Sequence, residues 1–520
     1  MQLFKNANFI SCENVNQIHN VLVEDKGKII FLGDTIPEKF NNIPQHDLNG
    51  ACVVPAFADT HIHFESFSLF HSTLDTRNAS NFDELAALIN KYIKDHPNEK
   101  VILGFGSSAH TVKEKRLPTL SDLDNITSHP ILLIKYDGHA AVANSALLKK
   151  LPSSVLNTNG FDRVTGSFFH ESFYEVVNYI TKSVSIFTVL KNMIGGSDYM
   201  ARKGIGLIHT VEGVGFALDA DVDVMRIAAR GLPQHVRTYF QTMDTQKVLR
   251  RKLPCIGGCF ATALDGCFGS LDAALKEPYT NNHTNTGVLF YPQKTVTEFV
   301  KTANCAGLQI AMHAIGDAAV EQALNAYETA LTDFPRKDHR HVIIHADLMN
   351  NAMIERAAKL QLGIALQTPF LDWAQEPLEY LESILGERLQ YLIPVKSMID
   401  AGIMVANGSD GPCTLPDPIF GIHAACNHPN SDQRISPLDA LKTVTNWAAK
   451  FSFDENERGT LTVGKSADFV VLDQELLSIP VEKIKDTQIK ALYLSGQPYS
   501  GQTDSAVNLL MKSIKNKLFA

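Results

Sequence analysis

Four histidines and one aspartate close hydrophobic runs along this 520-residue chain. Val53-Val-Pro-Ala-Phe-Ala-Asp-Thr-His61-Ile-His63 ends in two imidazoles one residue apart. In a strand such a pair faces the same way. Leu308-Gln-Ile-Ala-Met-His313 ends in a third, His341-Val-Ile-Ile-His345 in a fourth, and Met404-Val-Ala-Asn-Gly-Ser-Asp410 in a carboxylate. Imidazoles and a carboxylate gathered at strand ends suit Zn²⁺ or a similar divalent ion. Such an ion lowers the pKa of water toward neutrality, and a neighbouring carboxylate can take the proton. A lone histidine at a strand end is more often a satisfied structural residue. The ordered set is what carries the reading.

Strands must position these groups. From residue 51 to 455, apolar β runs alternate with helical patterns. The runs include Val101-Ile-Leu-Gly-Phe-Gly, Ile131-Leu-Leu-Ile-Lys and Gly206-Leu-Ile-His-Thr, besides those ending in His313, His345 and Asp410. The spacing predicts helices over 296–306, 318–331 and 351–360. Strands alternating with helices imply a parallel sheet, and over this length an α/β (β/α)₈ TIM-like barrel with insertions fits best. One insertion is expected around 64–200. Residues 1–50 and 456–520 hold short β runs separated by Gly turns, too few at either end for a stable sheet. They are expected to pair into one small β-sandwich domain.

Composition narrows the function classes. Hydrophobic residues make up 45% and charged residues 20%, which is globular, and the net charge of −9 gives no drive toward nucleic acid or anionic membranes. No apolar run is long enough to span a bilayer, and the N-terminus lacks the continuous apolar core of a secretory signal. The 8 cysteines are scattered without a disulfide pattern. A cytoplasmic enzyme with a small-molecule substrate is expected; the sequence leaves homo-oligomerisation open.

Pro55-Ala-Phe-Ala-Asp-Thr-His-Ile-His, Met312-His-Ala-Ile-Gly-Asp317, Ile344-His-Ala, Gly408-Ser-Asp410 and the stretch from Gly459 to Asp473 resemble the amidohydrolase superfamily. Asp137-Gly-His-Ala-Ala-Val-Ala-Asn-Ser and Asp265-Gly-Cys-Phe-Gly-Ser resemble its YtcJ-like (amidohydrolase 3) branch, which includes N-substituted formamide deformylase. The resemblance implies a metal-bearing barrel with a β-sandwich, metal ligands at His61, His63, His313, His345 and Asp410, and a second role for Asp410 as proton acceptor from the attacking water. It also implies that His139 contacts the substrate or the transition state. The residues agree for His139: Gly138 permits a tight turn, and an imidazole there could donate to a carbonyl oxygen.

One departure stands out. Many relatives carry a Lys on the fourth strand that bridges two metals, but the approach to Asp265, Gly257-Gly-Cys-Phe-Ala-Thr-Ala-Leu, holds none. Glu212 is the candidate replacement bridge, with Cys259 the soft-ligand alternative; each also reads as a loop carboxylate or a buried small hydrophobe. One or two ions are therefore open. Lys135 is expected to pair with a carboxylate, Asp317 to cap or anchor the next helix, and His209 to line the site or lie behind it. Phe64, Phe168, Phe169, Phe370 and Trp373 are candidates for an apolar pocket wall, though most aromatics are core.

Together these features read as a metal-dependent hydrolase acting on a non-peptide C–N bond, an amide or N-acyl group of a small molecule. A deaminase or cyclic-amide hydrolase would use the same site. A metal-free barrel serving as a binding or assembly protein is the reading from a different class.

Overall fold

The structure is a computed structural model that describes residues 1–13, 16–182, 184–214, 217–501 and 504–519. Its centre is a sheet of eight parallel strands: Phe57–Ile62, Ile205–Glu212, His235–Phe240, Cys255–Ala263, Gln309–Ala314, Val342–His345, Gly363–Leu366 and Met404–Asn407. They neighbour one another in chain order. Beyond their ends the first and eighth strands meet through backbone bonds from Asp410 N to His61 O and from His63 N to Gly411 O, so the sheet closes into a TIM-like barrel. One apolar cluster takes side chains from all eight strands, among them Ala58, Leu207, Tyr239, Cys255, Ala311, Val342, Ala365 and Ala406. These line the barrel's inside. Helices Gln293–Cys305, Asp317–Asp333 and Asn351–Lys359 pack outside, within a few residues of the ranges the pattern gave.

Two of the apolar runs lie elsewhere. Ile102–Ser107 and Ile131–Lys135 belong to a separate six-stranded sheet between the first two barrel strands, spanning Leu74–Asp75 to Ser167–Phe169. The third and seventh barrel strands are instead His235–Phe240, interrupted by Arg237 and Thr238, and the four-residue Gly363–Leu366. A short apolar run carries no mark of the sheet it joins. His139 consequently reaches the barrel from this added sheet, in the turn between Ile131–Lys135 and Ala140–Ala143.

Strands from the two ends of the chain share one seven-stranded mixed sheet. Its order runs Gln497–Pro498, Ile489–Leu494, Phe469–Leu472, Gln45–Pro55, Gln2–Ile10, Ile18–Asp25, Lys28–Gly33. Phe469–Leu472 pairs antiparallel with residues 52–55, and Phe469 packs edge-on against Phe4 at 5.1 Å. Removing residues 456–520 would strip a neighbour from Gln45–Pro55 and uncover Phe4 and Phe9, both fully buried. An exposed edge beside an apolar face is an aggregation template, so the truncated protein is expected in the insoluble fraction. A soluble, active truncation would contradict this.

Candidate metal centre

The mouth of the barrel gathers six donors. Among the described residues, three overlapping groups have their ligand atoms within 4.8 Å of one another: His61, His63 and Cys259; Cys259, His313 and His345; His61, His345 and Asp410. All six residues are buried. Cys259 Sγ lies 3.3 Å from His61 Nε2 and 3.8 Å from His345 Nε2. Asp410 Oδ1 lies 3.1 Å from His61 Nε2 and 3.4 Å from His63 Nε2.

Each side chain arrives there for a local reason. Asp59 clamps the first strand to the eighth: its carboxylate accepts from His61 N, Ser409 N and Ser409 Oγ at 3.2, 3.0 and 2.6 Å. On the fourth strand, Gly257 and Gly258 have φ of 99° and 142°. A Cβ on Gly257 would sit 1.9 Å from Ala311 O. Pairing with the fifth strand shifts register between Gly258 and Ala263, and Cys259 lies in that break. On the sixth strand, Val342 and Ile344 join the inner cluster, so strict alternation would turn His345 outward. A left-handed backbone at His345 (φ 70°) and Ala346 (φ 54°) goes with its inward position; Asp410 is likewise left-handed at 54°. Such non-glycine conformations cost about 1–3 kcal/mol each and cluster at functional sites.

The fifth strand is held by Asp265. Its carboxylate accepts from Ala274 N, Ile315 N and Gly316 N at 2.8, 2.9 and 2.8 Å, and Oδ1 lies 3.5 Å from His313 Nε2. Asp265→Ala would leave three backbone donors unmet, and at about 1–3 kcal/mol per buried group the expected loss is about 3 kcal/mol or more. Denaturant unfolding measures it; an unchanged midpoint would refute the role.

The charges are mutually arranged. Burial opposes ionisation throughout, yet His61 and His63 hold Asp410 well below the usual carboxylate range. Burial likewise opposes the Cys259 thiolate, but His61, His313 and His345 hold the thiol well below its ordinary value. Against burial, Cys259 and Asp410 raise His61 to about 10 and His63 to about 9. The fit to a metal rests on the donors. Among the described residues, Nδ1 of His313, Nδ1 of His345 and Oδ1 of Asp410 are buried without a hydrogen-bond partner. Crowded imidazoles, a thiolate and a carboxylate with lone pairs unspent make a borderline-soft set suited to the zinc class.

Glu212 is not brought to this centre. Leu207 and Val211 face the barrel interior, so by alternation Glu212 turns outward. There it accepts from Thr210 Oγ1 at 2.5 Å and Glu65 N at 3.2 Å. Burial, then the neighbouring Asp221 and Glu65, push its carboxyl well above the usual range. His209 is buried in the barrel; among the described residues both ring nitrogens lack partners, and burial pushes it down to about 3.

His139 is half-buried, with Nδ1 2.8 Å from Asp137 O. Asp137, His139 and Cys267 form a further close group, but Lys135 Nζ lies 2.6 Å from Asp137 Oδ2, where an ammonium would repel a metal ion. Lys135 also donates to Gly269 O and Ser270 Oγ, tying the added sheet to the loop after the fourth strand. Asp317 opens its helix, but its carboxylate accepts from Lys276 N, and Gly316 holds the capping position.

Aromatic rings frame the mouth. Phe370 stacks on His345 at 6.1 Å and Trp373 on Phe370 at 4.8 Å. Phe260 meets His63 edge-on at 5.1 Å, and Tyr174, from the insertion helix His170–Thr181, meets Phe260 at 5.8 Å. Phe64 and Phe168 are fully buried, and Phe169 is exposed on the added sheet. The sequence held no signal for Tyr174.

The sequence profile described as Amidohydrolase family, of the amidohydrolase 3 type, matches residues 46–499. YtcJ of Bacillus subtilis is 27% identical over 93% of this chain and 96% of its own length. N-substituted formamide deformylase of Arthrobacter pascens is 22% identical over 94% of this chain and 96% of its own. A crystal structure of an uncharacterized metal-dependent hydrolase from Pyrococcus horikoshii has the same fold, with a TM-score of 0.75 at 24% identity over 92% of this chain and 99% of that one.

Proposed function

Because the chain belongs to the amidohydrolase family, we propose that it is a metal-dependent hydrolase that cleaves a non-peptide C–N bond, an amide or N-acyl group, of a small molecule. The observation that carries this is the gathering of His61, His63, Cys259, His313, His345 and Asp410 into three overlapping buried ligand groups at the barrel mouth. These residues would hold one or two divalent ions of the zinc class. When bound, the ion supplies Lewis acidity, activating water and polarising a carbonyl.

The chain's own residues do the rest. Asp410, held anionic by its histidine neighbours, takes a proton from the attacking water and returns it to the leaving nitrogen. His139 offers an imidazole edge to the carbonyl oxygen as charge develops there. Phe260, Tyr174, Phe370 and Trp373 exclude bulk water around the scissile group. In this reading residues 51–455 carry the chemistry, 1–50 with 456–520 form the companion domain, and the protein works in the cytoplasm. Its eight cysteines are all unpaired, which suits a reducing compartment. Among the described residues no helix is long and apolar enough to cross a membrane.

Metal analysis of purified protein, with a screen of N-formyl and N-acyl amines, N-acyl amino acids and cyclic amides, tests the proposal. At least one equivalent of metal and chelator-sensitive release of amine are expected. His61→Ala should lose both metal and turnover. Protein that binds no metal and hydrolyses nothing in the screen would favour a binding role.

A further inference from the structure

The barrel mouth holds a polar side chain that the metal centre does not use. The six donors come from the ends of the first, fourth, fifth, sixth and eighth strands. The third strand, His235–Phe240, leads directly into Gln241. Gln241 N donates to Glu212 O at 2.7 Å, which carries the parallel ladder with the second strand one residue further. Tyr239 faces the barrel interior, so by alternation Gln241 does too.

A contact fixes where it lies. A Cβ on Gly258 would sit 2.9 Å from Gln241 Cγ and 2.9 Å from Val211 Cγ1. Val211 lines the inside of the barrel. Gln241 therefore rests on bare backbone of the fourth strand, one residue before Cys259, whose Sγ lies 3.3 Å from His61 Nε2. The missing side chain at Gly258, where φ is 142°, opens the space the glutamine fills.

The carboxamide is idle. Gln241 is 3% exposed, and its Oε1 is buried without a partner. Among the described residues its Nε2 makes no hydrogen bond either. Native interiors rarely leave such groups unpaired. Gln234, before the opposite end of the same strand, accepts from Ser197 Oγ at 2.7 Å and donates to Ser197 O at 2.8 Å. Gln309, where the fifth strand begins, donates to Arg340 O and Phe451 O and accepts from Tyr239 Oη. Glutamines at the closed end of the barrel hold the fold together, and the one at the mouth holds nothing. Residues at the mouth of such barrels serve the ligand.

With neither end tied, nothing fixes the amide plane about its broad terminal torsion. A carboxamide offers an N–H and a C=O side by side. Its complement is an uncharged group with a C=O and an N–H on one edge. We propose that Gln241 is a substrate-binding residue that pairs edge to edge with an amide of the substrate, Nε2 donating to its carbonyl oxygen and Oε1 accepting from its N–H. A trans amide points these two groups in opposite directions; a lactam, a ureide ring or a primary amide places them on one edge. The inference rests on the hydrolase reading and narrows it to substrates that bring such an edge beside the metal centre.

Binding tests this without turnover. Oxindole and 2-indanone share their shape and carbonyl, and a CH₂ in the second replaces the N–H of the first. Each is titrated into the full-length, metal-loaded protein and followed by ligand-observed NMR. Wild type is expected to bind oxindole about tenfold more tightly, the scale of one or two neutral hydrogen bonds. Gln241→Met keeps the length, loses both polar atoms and should bring the two affinities together; Gln241→Leu should do the same. The thermal midpoints of both variants should match or exceed that of wild type, since no bond within the protein is lost. Equal binding of the two probes by wild type, or binding of neither, would overturn the subsite. So would an oxindole preference that survives both substitutions, since the metal alone would then set it. Failure of both variants to fold would show that Gln241 holds the structure together, which overturns it as well.

Metal content and amide hydrolysis, measured on the same preparations, separate the two ideas. An oxindole preference lost in Gln241→Met, without hydrolysis of any amide by wild type, keeps the contact and removes the hydrolase reading. Hydrolysis by wild type without the preference does the reverse.

Discussion

Asp410→Asn is expected to lower kcat by about 10²–10⁴-fold, the range a positioned acid–base group supplies. Asparagine fits the same space and keeps one oxygen toward His61 and His63, so the fold should persist. What goes is the negative charge. In the wild type two imidazoles 3.1 and 3.4 Å from Oδ1 keep the group ionised despite burial; a neutral amide cannot take a proton from water. Turnover must be expressed per bound metal, because Asp410 is also a proposed ligand. A fall in kcat per metal, at unchanged thermal midpoint, supports the acid–base role. A fall explained wholly by lost metal reduces Asp410 to a ligand. Unaltered turnover at full occupancy would remove it from the mechanism.

The residues of the barrel mouth differed in how plainly the sequence announced them. His61, His63, His313, His345 and Asp410 could be picked out because each closes an apolar run, and burial makes a polar residue there conspicuous. Their route to the centre was less legible. His61 and His63 share a face by alternation, but alternation alone would send His345 outward, and its left-handed backbone at 70° has no sequence mark. Glu212 shows the same rule from the other side. Val211 packs inside the barrel, and counting from it turns Glu212 away from the axis. The barrel was legible in outline and misassigned in detail: Ile102–Ser107 and Ile131–Lys135 looked like its strands, while His235–Phe240, with Arg237 and Thr238 inside it, did not.

Cys259 is expected to set the metal stoichiometry, and Glu212 is not. Two cations in one pocket repel, so a binuclear site needs an anion between them. Glu212 makes its hydrogen bonds with Thr210 and Glu65, and burial beside Asp221 and Glu65 favours its neutral acid form. Glu212→Gln is isosteric with that form and should leave the metal-to-protein ratio unchanged. Cys259 belongs to two of the three ligand groups, one through His61 and His63 and one through His313 and His345, which is where a bridging thiolate would stand. Cys259→Ala should therefore lower the ratio, from two to one if the site is binuclear, or weaken a single ion by about 10–100-fold, the scale seen even when only a ligand's supporting partner is lost. Loading with cobalt adds a readout independent of activity: a thiolate ligand gives an intense sulfur-to-metal charge-transfer band that the alanine variant must lack. If Glu212→Gln loses an equivalent while Cys259→Ala keeps two, the bridge is the carboxylate and the barrel mouth must rearrange on metal binding. If both variants keep the wild-type ratio and the cobalt band is absent throughout, the thiol is a packed small side chain, and the four histidines with Asp410 hold the metal alone.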